Sequence, residues 1–150
     1  MNQALLACLQ EDGFFDKAPP KSTGRDLFNA EWLNARLKGF EDLSAVDVQA
    51  TLVELTAWAC VQGMQSTALE CDTLVVCGGG AFNLALMERL QILAPQTTVC
   101  SSQALGIAPH LVEACAFAWL AQQAVHHKAA SVPSVTGAKG ERLLGAIYLA

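Results

Sequence analysis

Charge is scarce in this chain: only 15% of its 150 residues are Asp, Glu, Lys or Arg, and the nine Lys and Arg form no cluster. Neutralising a phosphate backbone needs a basic stripe, so a net charge of −5 argues against a nucleic-acid partner. Also missing is an uncharged apolar run of the roughly 18 residues that a membrane-spanning helix needs. The longest candidate, Leu111 to Ala121, is interrupted by Glu113, and Met1 to Gln10 has no basic start of a signal peptide. The expectation is a cytoplasmic protein without membrane contact. C-x-x-C pairs are absent as well. Cys8, Cys60, Cys71, Cys77, Cys100 and Cys115 sit singly inside apolar segments, a spacing that fits neither a zinc site nor a disulfide framework. They read as reduced, buried, small hydrophobes, and no metal is expected.

Apolar residues are abundant, at 53% of the chain. That exceeds what one small domain normally buries and suggests that a partner surface is missing. There is no internal repeat, and the length fits a single domain.

The stretch Thr73 to Arg89, TLVVCGGGAFNLALMER, organises the rest. Leu74 to Cys77 is a short run rich in β-branched residues and reads as a buried strand. Gly78, Gly79 and Gly80 follow, and Leu84, Met87 and Leu90 then share one helical face. The unit is strand, glycine turn, helix. Bare amides beside a helix start can take phosphate or ribose oxygens. The spacing is neither G-x-G-x-x-G nor a P-loop, so the turn alone leaves open a tight connection with no ligand.

Around this unit the chain is punctuated clearly. Met1 to Asp12 carries Leu5, Leu6 and Leu9 at helical spacing, with no cap before it and Gly13 as its stop. Phe14 to Gly24 is a Pro-rich loop, in which Lys21, Ser22, Thr23 and Arg25 are equally consistent with a solvated connection or an anion contact. A short amphipathic helix is expected over Arg25 to Leu37. Ser44, with Asp47 three residues on, caps a long helix reaching about Thr67. Val48, Leu52, Leu55 and Ala59 make one apolar stripe of that helix, and Val46, Ala50, Val53, Ala57 and Val61 another. Asp47, Thr51, Glu54 and Trp58 fall opposite, with Trp58 assigned to packing or a subunit contact.

Thr97 to Cys100 is a second strand candidate, and Pro109 opens a helix to about His126. That helix is apolar on nearly every side and is expected to be buried, with Glu113 as its one ionisable side chain. A buried carboxylate without a partner is costly, so Glu113 stands at the rim of a cleft, meets a donor, or serves the helix dipole. His110 and Phe117 share its face. Thr136-Gly137-Ala138 reads as a second close-approach turn, and Leu143 to Leu149 as a final apolar element with a third strand near Ile147.

Five segments then carry a family resemblance. PPKSTGR (Pro19 to Arg25), DVQATLVELTA (Asp47 to Ala57), VCGGGAFN (Val76 to Asn83), the stretch from Leu105 to Ala121 and VTGAKGERLLGAIY (Val135 to Tyr148) resemble, in order, the C-terminal part of the anhydro-N-acetylmuramic acid kinases. The resemblance implies an α/β, helix-dominated fragment of an actin-like ATPase (ribonuclease H-like) lobe with an incomplete sheet. Residues 1–150 would form a single partial domain. It implies a cytoplasmic bacterial enzyme of peptidoglycan recycling that hydrolyses a 1,6-anhydro ring and phosphorylates O6 with ATP and Mg²⁺. It places Gly78, Gly79, Gly80 and Asn83 by the nucleotide, Glu113 by the sugar, and Lys21 and Arg25 more weakly on the nucleotide side.

Two departures stand out, Phe82 where the family usually has His and His110 where it usually has an acid. The family's phosphate-binding loop and its D-T-G-P-G-N segment, with the aspartate that activates water, have no counterpart in these residues. The expectation is therefore that no residue here is catalytic and that the chain alone is inactive. Its partners would be ATP, the anhydro sugar and a second chain supplying the N-terminal part, with a homo-oligomer left open. Two rival classes are a non-catalytic nucleotide-binding module and a regulatory protein that binds the sugar without ATP.

Overall fold

A computed structural model describes residues 1–67 and 70–148. Its elements are α1 (Gln3–Gln10), α2 (Ala30–Arg36), α3 (Ala45–Gln65), β1 (Thr73–Val76), α4 (Leu84–Leu93), β2 (Thr98–Ser101), α5 (Val112–Val125) and the single turn α6 (Pro133–Thr136). This is a helix-rich α/β arrangement with an open, two-stranded parallel sheet. Thr73 pairs with Thr98 and Val76 with Ser101. Parallel strands need a crossover, and α4 supplies it.

Helix α3 is the spine, and apolar residues pack on two sides of it. On one side Leu5, Leu6, Leu9 and Leu55 form a buried cluster with Phe15, Trp32, Leu33, Leu52 and Trp58 around it. On the other, Ala57 and Val61 meet Leu90 and Ala94 of α4, with Leu74, Val76 and Val99 of the sheet beside them. Trp58 packs at 5.1 Å from the ring of Phe15, in keeping with its assignment to packing. Two sides are covered because α1 and α4 flank α3.

That geometry corrects the polar face assigned to α3. Thr51 is fully buried and Glu54 is 6% exposed, whereas Val46, counted in an apolar stripe, is 78% exposed. Thr51 accepts the Asn2 amide at 2.9 Å and donates to the Asp47 carbonyl at 2.7 Å. Glu54 takes a bidentate pair from Arg89 of α4. Helical periodicity cannot distinguish a polar side chain facing water from one facing its own dedicated partner.

Caps account for most helix boundaries. Ser44 accepts the Asp47 amide, as the capping pattern requires. Helix α1 does have a cap: Asn2 is extended and accepts the Leu5 amide at 2.9 Å. Asn29 caps α2 by accepting from Trp32, so the helix expected from Arg25 begins at Ala30.

The largest departures lie in the C-terminal third. Helix α5 spans the expected residues, yet only Ala124 is buried, while Phe117 and Trp119 are 63% and 51% exposed. Among the described residues no strand forms near Ile147; Leu143 to Tyr148 run without regular structure, and Leu149 lies outside the described residues. None of the six cysteines is buried: Cys60, Cys77 and Cys115 are exposed and the others half-buried. An apolar helix without enough sheet to cover it leaves its small residues in water. Gly137 has φ +71, the left-handed region that favours glycine, and a Cβ there would meet Pro20 Cγ only at an ordinary van der Waals distance of 3.4 Å. No helix among the described residues is long and apolar enough to cross a membrane.

Candidate functional site

Both strands point their C-terminal ends at one edge of the molecule, where open parallel sheets bind ligands. From β1 the chain enters Gly78 at φ 70° and ψ −165°, a region essentially reserved for glycine, and a 3-10 turn over Gly79–Phe82 follows. Asn83 ends that turn and caps α4, its side chain accepting the Leu86 amide at 3.2 Å. From β2 the chain runs through a second 3-10 turn, Ser102–Leu105, to a third, Pro109–Leu111, which leads into α5.

One hydrogen bond joins the two approaches. The Gly78 amide donates to the Pro109 carbonyl at 2.9 Å. It brings the glycine turn against the start of the helix that carries Glu113. Across the same junction the rings of Phe82 and His110 lie 6.4 Å apart.

The first amide bonded within the glycine turn is that of Ala81, donating to the Gly78 carbonyl at 3.2 Å. The amides of Gly79 and Gly80 precede it and have no acceptor within the turn. A Cβ at Gly79 would meet nothing within 4 Å. The backbone is thus bare and outward-facing there, which suits the oxygens of an anionic ligand. Nothing in the chain's own packing demands glycine at that position. Ser102, just past β2, has a buried hydroxyl without a hydrogen-bond partner.

Glu113 stands in the first turn of α5 and is exposed. Its place is the one the helix dipole favours for an acid, and the buried environment expected for it is not observed. Lys21 donates to the carbonyls of Phe14 and Phe15 at 3.2 and 2.7 Å, so its ammonium is committed to its own loop. Arg25 lines a cavity of about 620 Å³ with Phe15, Phe28, Trp32, Leu52 and Thr56. That cavity includes no residue of the glycine turn.

A second cavity, of about 650 Å³, adjoins the turn between α3 and α4. Asn83 and Ala85 line it with Val46, Val53, Glu88 and the Glu54–Arg89 pair. The Glu54 carboxylate keeps the Arg89 guanidinium protonated even more firmly than usual, by hydrogen bonding first and charge second. Sequence reasoning missed this pair, although an acid set between Val53 and Leu55 in a packed helix was its signal. Among the described residues no group of three His, Cys, Asp or Glu could hold a metal ion.

A family model for anhydro-N-acetylmuramic acid kinase matches residues 1–150. The chain belongs to that family. An anhydro-N-acetylmuramic acid kinase of Albidiferax ferrireducens is 54% identical over 96% of this chain, and one of Variovorax paradoxus is 51% identical over 96%. The kinase of that name from Pseudomonas paraeruginosa is 49% identical over 99%. The chain covers 37%, 38% and 40% of the length of the Albidiferax, Variovorax and Pseudomonas kinases respectively. The chain thus spans less than half the length of each of these relatives.

Proposed function

We propose that the chain is the C-terminal part of an ATP-dependent anhydro-N-acetylmuramic acid kinase, a cytoplasmic enzyme of peptidoglycan recycling built on an actin-like lobe. The reaction is hydrolysis of the 1,6-anhydro ring coupled to phosphorylation of O6. The observation that carries this reading is the Gly78–Pro109 hydrogen bond, which sets the open amides of Gly79 and Gly80 beside the helix bearing Glu113. Phosphoryl transfer consists largely of positioning and charge stabilisation, and these residues provide positioning.

In this reading Gly78, Gly79 and Gly80 cradle phosphate or ribose oxygens through backbone amides, and Asn83 borders the cavity that receives the base. Glu113 accepts hydroxyl protons of the sugar. Mg²⁺ would neutralise phosphate charge, held by substrate phosphates and waters with one or two carboxylates, and in this reading those carboxylates belong to the part of the relatives that the chain does not cover. The water-activating aspartate belongs there too, and this chain alone is inactive. The exposed apolar surface of α5 favours a subunit that works with further polypeptide, either a second chain or a copy of itself, over a free-standing binding module.

Calorimetric titration of the full chain tests this reading. Mg-ATP is expected to bind saturably, Gly79→Val to abolish that binding without unfolding the chain, and Glu113→Gln to weaken the anhydro sugar alone. A chain shown to be folded that binds neither ligand refutes the assignment of this edge.

A further inference from the structure

The glycine turn has two flanks, and they differ in chemistry. On the Asn83 side it opens into the cavity of about 650 Å³ between α3 and α4, whose lining includes neither Phe82 nor His110. A base attached to phosphates held at Gly79 and Gly80 has its room on that flank. On the other side Phe82, 62% exposed, ends the turn outside both core clusters. Its ring faces that of His110 at 6.4 Å, inclined by 32°. That separation lies within the range for attractive ring contacts. His110 is itself exposed and stands three residues before Glu113 in the sequence.

We propose that Phe82, backed by His110, is a stacking shelf for the C–H face of the sugar ring. This rests on the reading of the same edge as the meeting place of nucleotide and anhydro sugar. The chemistry is that of carbohydrate recognition. A ring fused to a 1,6-anhydro bridge is rigid and presents polarised C–H groups on one face, complementary to the electron-rich face of a phenyl ring. Its hydroxyls leave at the edges, where a carboxylate can accept them. A rigid ligand on an already exposed ring loses little conformational freedom on contact. Unlike the exposed rings of α5, Phe117 and Trp119, Phe82 stands in one 3-10 turn with Gly79 and Gly80 and against the ring of His110. The shelf sets preference among sugars; it takes no part in bond making.

The test is calorimetry on the full chain with two probes, Mg-ATP and anhydro-N-acetylmuramic acid. Phe82→Ala is expected to weaken the sugar about tenfold, the scale of one aromatic contact, and Phe82→Tyr by no more than about twofold. Mg-ATP affinity is expected to stay within about twofold in both variants. Unchanged sugar affinity in Phe82→Ala overturns the shelf. An equal loss for Mg-ATP also overturns it, because the ring then serves the nucleotide or the shape of the turn. Wild-type chain that binds Mg-ATP but not the sugar overturns the shelf alone, whereas folded chain that binds neither overturns the underlying reading as well. Should Phe82→Ala fail to fold, His110→Ala carries the same expectation and the same refutation.

Discussion

Arg89→Met isolates what holds the site-bearing helix in place. Arg89 lies on α4, the helix that Asn83 caps, and its guanidinium reaches Glu54 of α3 through Nε to Oε2 and through Nη2 to Oε1 at 2.9 Å. The two ends of the pair differ in burial: the Glu54 side chain is 8% exposed and that of Arg89 34%. Removing the arginine strands a carboxylate with almost no access to water. Breaking a buried pair in this way costs about 3 kcal/mol. Removing the charge of the acid instead, by Glu54→Gln, leaves a guanidinium that already reaches solvent and keeps an amide oxygen to bond. Its cost should be about 1 kcal/mol, the scale of one hydrogen bond.

The asymmetry is the point of the experiment. Urea unfolding followed by circular dichroism gives both values, provided the slope with denaturant is unchanged. The double variant Glu54→Leu/Arg89→Met should be more stable than Arg89→Met alone, because the stranded charge is gone. An Arg89→Met cost below about 1 kcal/mol, or one no larger than that of Glu54→Gln, refutes the reasoning, since Glu54 would then be solvated.

Gly78 differs from Gly79 in kind. At φ 70° and ψ −165°, Gly78→Ala should cost about 2 kcal/mol of stability, read as a lowered urea midpoint. Gly79→Ala meets open space and should leave stability within about 0.5 kcal/mol while weakening Mg-ATP. Equal losses at the two positions refute the distinction. Asp12 supplies a pH test: the Phe14 amide first, then Trp32 Nε1 and the Arg36 guanidinium, hold its carboxyl below the usual carboxylate range. A depressed folded-state pKa stabilises above the unfolded value of about 3.9 and loses that contribution as pH falls through the lower folded value. Asp12→Ala should therefore be less stable than wild type at pH 7 and converge on it in acid, and a gap that persists at pH 2 contradicts this. Ser102→Ala removes a buried hydroxyl that has no partner, so it should leave the thermal midpoint unchanged or raise it.

Where a local signal decides the structure, the sequence was a sufficient guide. The three glycines, Pro109 as a helix start and the Ser44 cap depend on neighbours a few residues away and appear where expected. The β-branched run does form a strand, at Thr73–Val76, though it alternates exposed and half-buried residues instead of being buried. Boundaries moved where a side chain already present was not credited as a cap, as at Asn2 and Asn29. Contacts between distant segments were illegible. Glu54 looked like a surface acid because nothing in its helix announces Arg89, and Phe82 and His110 were noticed separately with no sign that they meet.

Burial of α5 failed for a different reason, one that bears on function. An all-round apolar helix implies a sheet or helices packed on it, and periodicity reports that demand whether or not the chain at hand can meet it. Two strands cannot cover α5, and Phe117, Trp119 and Val125 consequently face water. The family model matches residues 1–150 and relatives more than twice as long match 96% and 99% of the chain, so the exposed face of α5 fits the proposal that further polypeptide covers it. Glu113 sits at the end of α5 that the Gly78–Pro109 hydrogen bond ties to the glycine turn. Under the proposed reading, covering α5 would do more than remove apolar surface from water: it would also hold the helix that carries Glu113 against the glycine turn.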